Sequence, residues 1–96
     1  MNIEKPTYII MDHICLLTVR ANSWTKEVNI VAWNGGEPKY DIREWSPDHS
    51  RMSRGITLTA EEMEQILQEM HDLDACAFME TAVADYNEER GGKSDN

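Results

Sequence analysis

Trp33, Lys39, Arg43 and Trp45, with Asn29 upstream, set large aromatic rings and positive charges at alternate positions along a short stretch of chain. That pattern suits one kind of chemistry. An exposed indole offers a flat π face on which an unstacked nucleobase can lie, worth roughly 1–3 kcal/mol per base. Lysine or arginine beside it can hold the connecting phosphates. An exposed tryptophan needs some such reason, because it leaves a large apolar area in water. Lys26, Arg51 and Arg54 extend the basic track. The same residues have a second reading. Trp33 and Trp45 can form a cross-strand aromatic pair or sit between protomers, and Lys39 and Arg43 can simply pair with Glu37, Asp41 or Glu44.

Catalytic or metal chemistry has less to build on. His13 and Cys15 make a His-x-Cys pair, but a structural zinc needs four ligands at suitable spacing. His49 falls in a loop, and His71 near a helix end, where a histidine complements the dipole. Cys15, on an apolar strand, reads as a small buried hydrophobe. Gly35-Gly36 reads as a hairpin turn and not as a phosphate cradle. With neither a nucleophile elbow nor paired catalytic carboxylates, the reading is a non-enzyme with no metal and no cofactor.

The elements that must position these residues follow from periodicity. Tyr8 to Arg20 is rich in Ile, Leu, Thr and Val and predicts a long strand, bent near Asp12-His13. Lys26 to Asn34 alternates cleanly: Val28, Ile30 and Ala32 share one face, and Glu27, Asn29, Val31 and Trp33 the other. Asn34-Gly35-Gly36-Glu37-Pro38 is a turn signal. Lys39 to Trp45 alternates again, and Arg54 to Leu58 predicts a short fourth strand. One sheet face, with Val28, Ile30, Ala32, Tyr40 and Ile42, suits packing under a helix. The other, with Asn29, Trp33, Lys39, Arg43 and Trp45, is expected to face water.

Thr59 opens a helix through a capping box with Glu62, and Met63, Ile66, Leu67 and Met70 form its apolar stripe. The stripe loses phase after Met70. Phe78, Met79, Ala82, Val83 and Tyr86 make a second one, predicting another helix over about 75–89, capped by Asp72 or Asp74. The expected organisation is a disordered N-terminus (1–6), a binding domain (7–73), an acidic C-terminal helix (74–90) and a disordered tail (91–96). The fold class is α+β: a four-stranded antiparallel meander followed by a helix (ββββα), plus an extra C-terminal helix. A domain of about 60 residues buries only about 60% of its unfolded surface, so a homodimer is expected.

Composition agrees with a soluble globular chain. It is 41% hydrophobic and 28% charged, and its apolar runs fall far short of the roughly 20 residues that cross a bilayer. No secretory signal pattern is visible at the start. Two cysteines cannot make a disulfide framework, so a reducing, cytoplasmic setting is expected, with nucleoid association as a variant. The net charge is −9, which taken whole argues against nucleic acid. Residues 1–58, however, hold seven bases against seven acids, while 59–96 hold eleven acids against Arg90 and Lys93. All of the excess acidity lies in the C-terminal part.

The run from Trp33 to Asp48 and the following Met52-Ser53-Arg54-Gly55-Ile56-Thr57-Leu58 resemble the core of the transcriptional positive cofactor four family, and within it the short bacterial YdbC-type members. The carriers are the Asp-Ile-Arg-x-Trp strand, the Gly-Ile-Thr-Leu strand and the helix after it, within a span of roughly Tyr8 to Leu73. The resemblance implies a ββββα homodimer that binds single-stranded DNA with little sequence preference, in support of transcription, replication or repair. Paired helices would build the dimer interface, pointing to Met63, Ile66, Leu67 and Met70. By position it points to Lys26, Asn29, Trp33, Lys39, Tyr40, Arg43, Trp45 and Arg54, with Arg51 in the adjoining loop. Lys and Arg would hold phosphates, Trp and Tyr would stack on bases, and Asn29 would bond a base edge or the backbone. RNA is the second candidate ligand, since stacking does not read the 2′-hydroxyl. The alternative function is a protein-interaction adaptor that uses the sheet aromatics and the acidic C-terminal segment.

Overall fold

The structure of the protein, a computed structural model, describes residues 6–94. Four strands, β1 (Tyr8–Val19), β2 (Thr25–Trp33), β3 (Lys39–Trp45) and β4 (Met52–Leu58), pair in chain order as an antiparallel meander. Two helices follow, α1 (Ala60–Met70) and α2 (Ala75–Ser94). The α+β meander read from the sequence is therefore the observed topology.

The strand limits move by one or two residues for local reasons. Asn34 leaves the strand predicted over 26–34, because Asn34 (φ 52°) and Gly35 (φ 74°) both turn left-handed. The Gly36 N–H then closes the turn on the Trp33 carbonyl at 2.8 Å, as a primed hairpin turn requires. Thr7 and Asn34 exchange hydrogen bonds, backbone N–H to Asn34 Oδ1 at 2.9 Å and Asn34 N–H to the Thr7 carbonyl at 2.8 Å. The start of β1 is thereby pinned to the far end of β2. β4 begins at Met52, two residues before the predicted Arg54.

β1 departs most from simple alternation. Its register against β2 slips at three places, between Ile10 and Asp12, His13 and Cys15, and Leu16 and Thr18. Each slip adds a residue to β1 and strengthens the local twist. Tyr8, Ile10, His13 and Leu16 consequently sit opposite Trp33, Val31, Asn29 and Glu27. A strict two-residue period would have sent His13 to the other face.

That slippage decides where the core lies. Trp45, Val31, Asn29 and Asp41 are fully buried. All four lie on the face predicted to be wet, so that expectation is corrected. The opposite face buries Val28 and Ala32, half-buries Ile30, Tyr40 and Ile42, and exposes Ile56. Cys15 is exposed and not buried as predicted, because β1 is an edge strand.

The chain divides into two compact units, one ending at Gln65 and the other beginning at Ile66. At the start of α1 the capping box forms as read: Glu62 N–H donates to Thr59 Oγ1 at 3.1 Å and Thr59 N–H to Glu62 Oε1 at 2.8 Å. Asp74, of the two candidates, caps α2 by accepting the Ala77 N–H at 3.0 Å. α2 then runs to Ser94, past the limit of about 89 and into the tail predicted to be disordered. Arg90 lies over the Tyr86 ring one turn back, 5.3 Å from its centroid, a pairing that favours helix through the point where glycines were expected to end it. The remainder of the expected tail, 95–96, and residues 1–5 of the expected N-terminus lie outside the described residues.

Candidate nucleic-acid interface

The strand face that carries Trp33, Lys39, Arg43 and Trp45 has an open end and a closed end. At the open end, a groove of about 460 Å³ is lined by Trp33, Lys39, Arg43, Met52 and Thr57, together with Pro6, Gly36 and the acidic Glu37. The register explains the gathering: Val31 pairs with Lys39, Glu27 with Arg43, and Arg43 with Gly55 across to β4. Gly55 is required there. A Cβ at that position would lie 2.4 Å from both Arg43 Cβ and the Ile42 carbonyl oxygen.

Trp33 is half-buried, and the Arg43 guanidinium lies 4.6 Å from its ring centroid. Arg43 is also clamped from below. Its Nε and Nη2 donate to the two oxygens of buried Asp41 at 2.7 and 2.6 Å, and Nη1 to the Ser53 carbonyl at 3.3 Å. Only 12% of its side chain remains exposed. Arg43 is thus first a strut that fixes the Trp33 ring, with one edge left toward the groove. Lys39 is exposed and makes no ion pair among the described residues, so its charge is free to meet an anion.

At the closed end Trp45 has no exposed surface. Tyr8 lies against it with centroids 5.2 Å apart, and the same ring touches Trp33 at 5.6 Å. The His49 imidazole also stacks on Trp45, at 5.5 Å and 29°. His49 stands in the loop from Ser46 to Arg51, at a left-handed φ of 60°, and its carbonyl accepts a short hydrogen bond from the Tyr8 hydroxyl. Asp48 organises that loop by accepting from the Ser46 hydroxyl and from the Ser50 N–H and hydroxyl. Those bonds, the Ser50 hydroxyl first, hold its carboxyl down at about 2.

Below His49 lies a buried polar cluster. Glu27 accepts from Thr25 Oγ1 at 2.5 Å, Asn29 Nδ2 at 3.0 Å, and His49 Nε2 at 2.9 and 3.1 Å to its two oxygens. Burial pushes the Glu27 carboxyl up, but the bonds from Thr25, Asn29 and His49 outweigh it and hold it below the ordinary value. Asn29 in turn accepts from His13 Nδ1 at 2.7 Å. Two buried donors, the indole Nε1 atoms of Trp33 and Trp45, have no partner among the described residues.

The residues singled out from sequence therefore separate. Trp33, Lys39 and Arg43 share the groove. Trp45 and Asn29, expected to touch a base directly, are enclosed, because bulged β1 and the His49 loop roof over their end of the face. Lys26 and Tyr40 lie on the opposite face, cross-strand from Glu44 and Ile30. Arg51 is over Trp24, 5.7 Å from the ring centroid, and Arg54 is exposed in the bulge that faces Glu44. Sequence reasoning missed Tyr8, Trp24, His49 and Glu27. A signal existed for Glu27: an acid flanked at i±2 by Thr25 and Asn29 shares their face and finds donors there. For Tyr8 and His49 the deciding facts are the bulges and the loop path, which alternation does not carry.

Residues 20–69, just over half of the chain, match the family described as Transcriptional Coactivator p15 (PC4). An uncharacterized protein of Treponema pallidum (strain Nichols) is 49% identical over 47 residues, which cover 49% of this chain and 55% of that protein. The chain thus spans about half the length of the curated relative it matches.

Proposed function

The chain belongs to the Transcriptional Coactivator p15 (PC4) family, and from that premise we propose that it binds single-stranded DNA through the groove of Trp33, Lys39 and Arg43. One observation carries the reading: an indole held in place by a guanidinium at 4.6 Å, with an exposed lysine in the same groove. The ring supplies a stacking surface that is indifferent to base identity, and Lys39 with the free edge of Arg43 supplies attraction to phosphate. Binding is the whole mechanism. A duplex offers that groove its backbone but keeps its bases stacked away, so it binds less well.

The proposal includes a homodimer. Ile66, Leu67 and Met70 leave 39–60% of their surface in water, and Met63 is half-buried beside them. An apolar stripe of that size supports pairing of two protomers. Action in the cytoplasm or on the nucleoid, in transcription, replication or repair, belongs to the same proposal. The adaptor reading keeps one observation of its own: Phe78, Met79 and Tyr86 of acidic α2 are 60–64% exposed.

The test is titration of a labelled oligo-dT and the matching duplex at two salt concentrations, with the mass measured in solution. The expected result is tighter single-strand binding, weakening with salt at a log–log slope of about −0.7 per phosphate contacted, by a particle of twice 11.1 kDa. Equal binding of both ligands, or of neither, overturns the reading.

A further inference from the structure

The closed end of the face resembles an occupied site. The His49 imidazole does two things at once: it stacks on an indole and donates from its edge to both oxygens of a buried carboxylate. Those are the two contacts by which proteins hold an unstacked nucleobase. The ring comes from a loop residue in left-handed backbone, an uncommon state for a non-glycine. Trp45, beneath it, carries an indole N–H without a partner among the described residues. Beside it lies a cavity of about 270 Å³ lined by Ile10, His13, Glu27, Asn29 and His49.

We propose that His49 occupies the seat of a guanine base, and that Trp45 and Glu27 form a second, base-selective subsite that opens when the Ser46–Arg51 loop swings out. The inference rests on the single-strand reading above. Guanine is favoured by donor count. A carboxylate only accepts. Guanine alone presents two adjacent donors on its Watson–Crick edge, N1–H and the exocyclic amino group, to match two carboxylate oxygens. Thymine brings only N3–H, and adenine and cytosine bring only an amino group. The Thr25 and Asn29 bonds to the carboxylate remain when His49 leaves, so its oxygens stay oriented to accept. Opening the loop costs the His49 contacts to Glu27, Trp45 and Tyr8, and guanine restores the first two.

The test uses the full chain and three labelled thymidine oligomers, alike except for a central dT, dG or deoxyinosine. The dG oligomer is expected to bind about tenfold tighter than the dT one, as a good bidentate pair allows. Deoxyinosine, which lacks the exocyclic amino group, falls between them. Glu27→Gln abolishes the dG advantage and keeps dT binding. Because Glu27 holds several buried hydrogen bonds, that variant can fail to fold, so His49→Ala is the second arm. It removes the stand-in and raises dG affinity above that of the unsubstituted chain, with dT little changed. The Trp45 indole resonance moves with the dG oligomer and not with the dT one. Equal affinity for all three oligomers in both the unsubstituted chain and His49→Ala overturns the subsite and leaves the groove reading standing. Failure to bind any of them overturns both.

Discussion

Trp33 and Trp45 begin as equivalents. They lie on the same face of adjacent strands, touch the same Tyr8 ring, and each leaves its indole N–H without a partner among the described residues. Yet one borders an open groove and the other is sealed. The strand pattern does not make the difference, since both obey it. The roof does. Three bulges in β1 bring Tyr8 and His13 onto the face, and the loop after β3 lays His49 over Trp45. At the Trp33 end, the Asn34-Gly35 turn leads the chain away and leaves the space that Lys39 and Arg43 line. Alternation tells which side chains share a face; the edges of the sheet tell which of them meets water.

The comparison breaks most visibly by removing each ring. Trp45→Ala empties the centre of the core and should cost about 3–5 kcal/mol of stability, read from the urea midpoint. Trp33→Ala should leave the fold largely intact and cost about 1–3 kcal/mol of oligo-dT affinity. A Trp45 variant that unfolds no more readily than the Trp33 variant would remove the distinction between a structural and a functional indole.

Gly55→Ala sharpens it from below. The added methyl meets Arg43 Cβ and the Ile42 carbonyl, so β3 and β4 must shift at a cost of about 1–3 kcal/mol. The same shift tilts Arg43 off Trp33, so oligo-dT binding should weaken as well. Stability and affinity both unchanged would mean that the strut is not needed.

Acid probes the roof with the smallest effect. Glu27 and Asp48 both have lowered pKa values in the folded chain. Their contributions are therefore present above their ordinary values of 4.5 and 3.8. They are lost as pH falls through the folded ones, for Asp48 toward about 2. Between pH 5 and 2 Trp45 should become accessible to a collisional quencher before the whole chain unfolds. Quenching that tracks global unfolding, followed by far-ultraviolet dichroism, would show that the loop has no separate transition.

Much of this was legible in the sequence. The Asn-Gly turn, the alternation over 26–34 and 39–45, and the Thr59–Glu62 box each rest on contacts within a few residues, and each is found. The groove trio was legible too, because Trp33, Lys39 and Arg43 need only the β2–β3 register to meet. What failed depends on distant partners. The burial of Trp45 and Asn29 requires knowing that Tyr8 arrives 37 residues before Trp45 in the chain, on a strand whose parity slips three times. The Arg43–Asp41 clamp was among the pairings considered, but not its depth, which the opposing Gly55 permits.

The most direct test follows the three indole Nε1–H resonances while oligo-dT is added. The account predicts that Trp33 shifts strongly, while Trp45 stays in place and exchanges slowly with solvent. A titration that moves Trp45 and leaves Trp33 where it was would contradict the account at its centre.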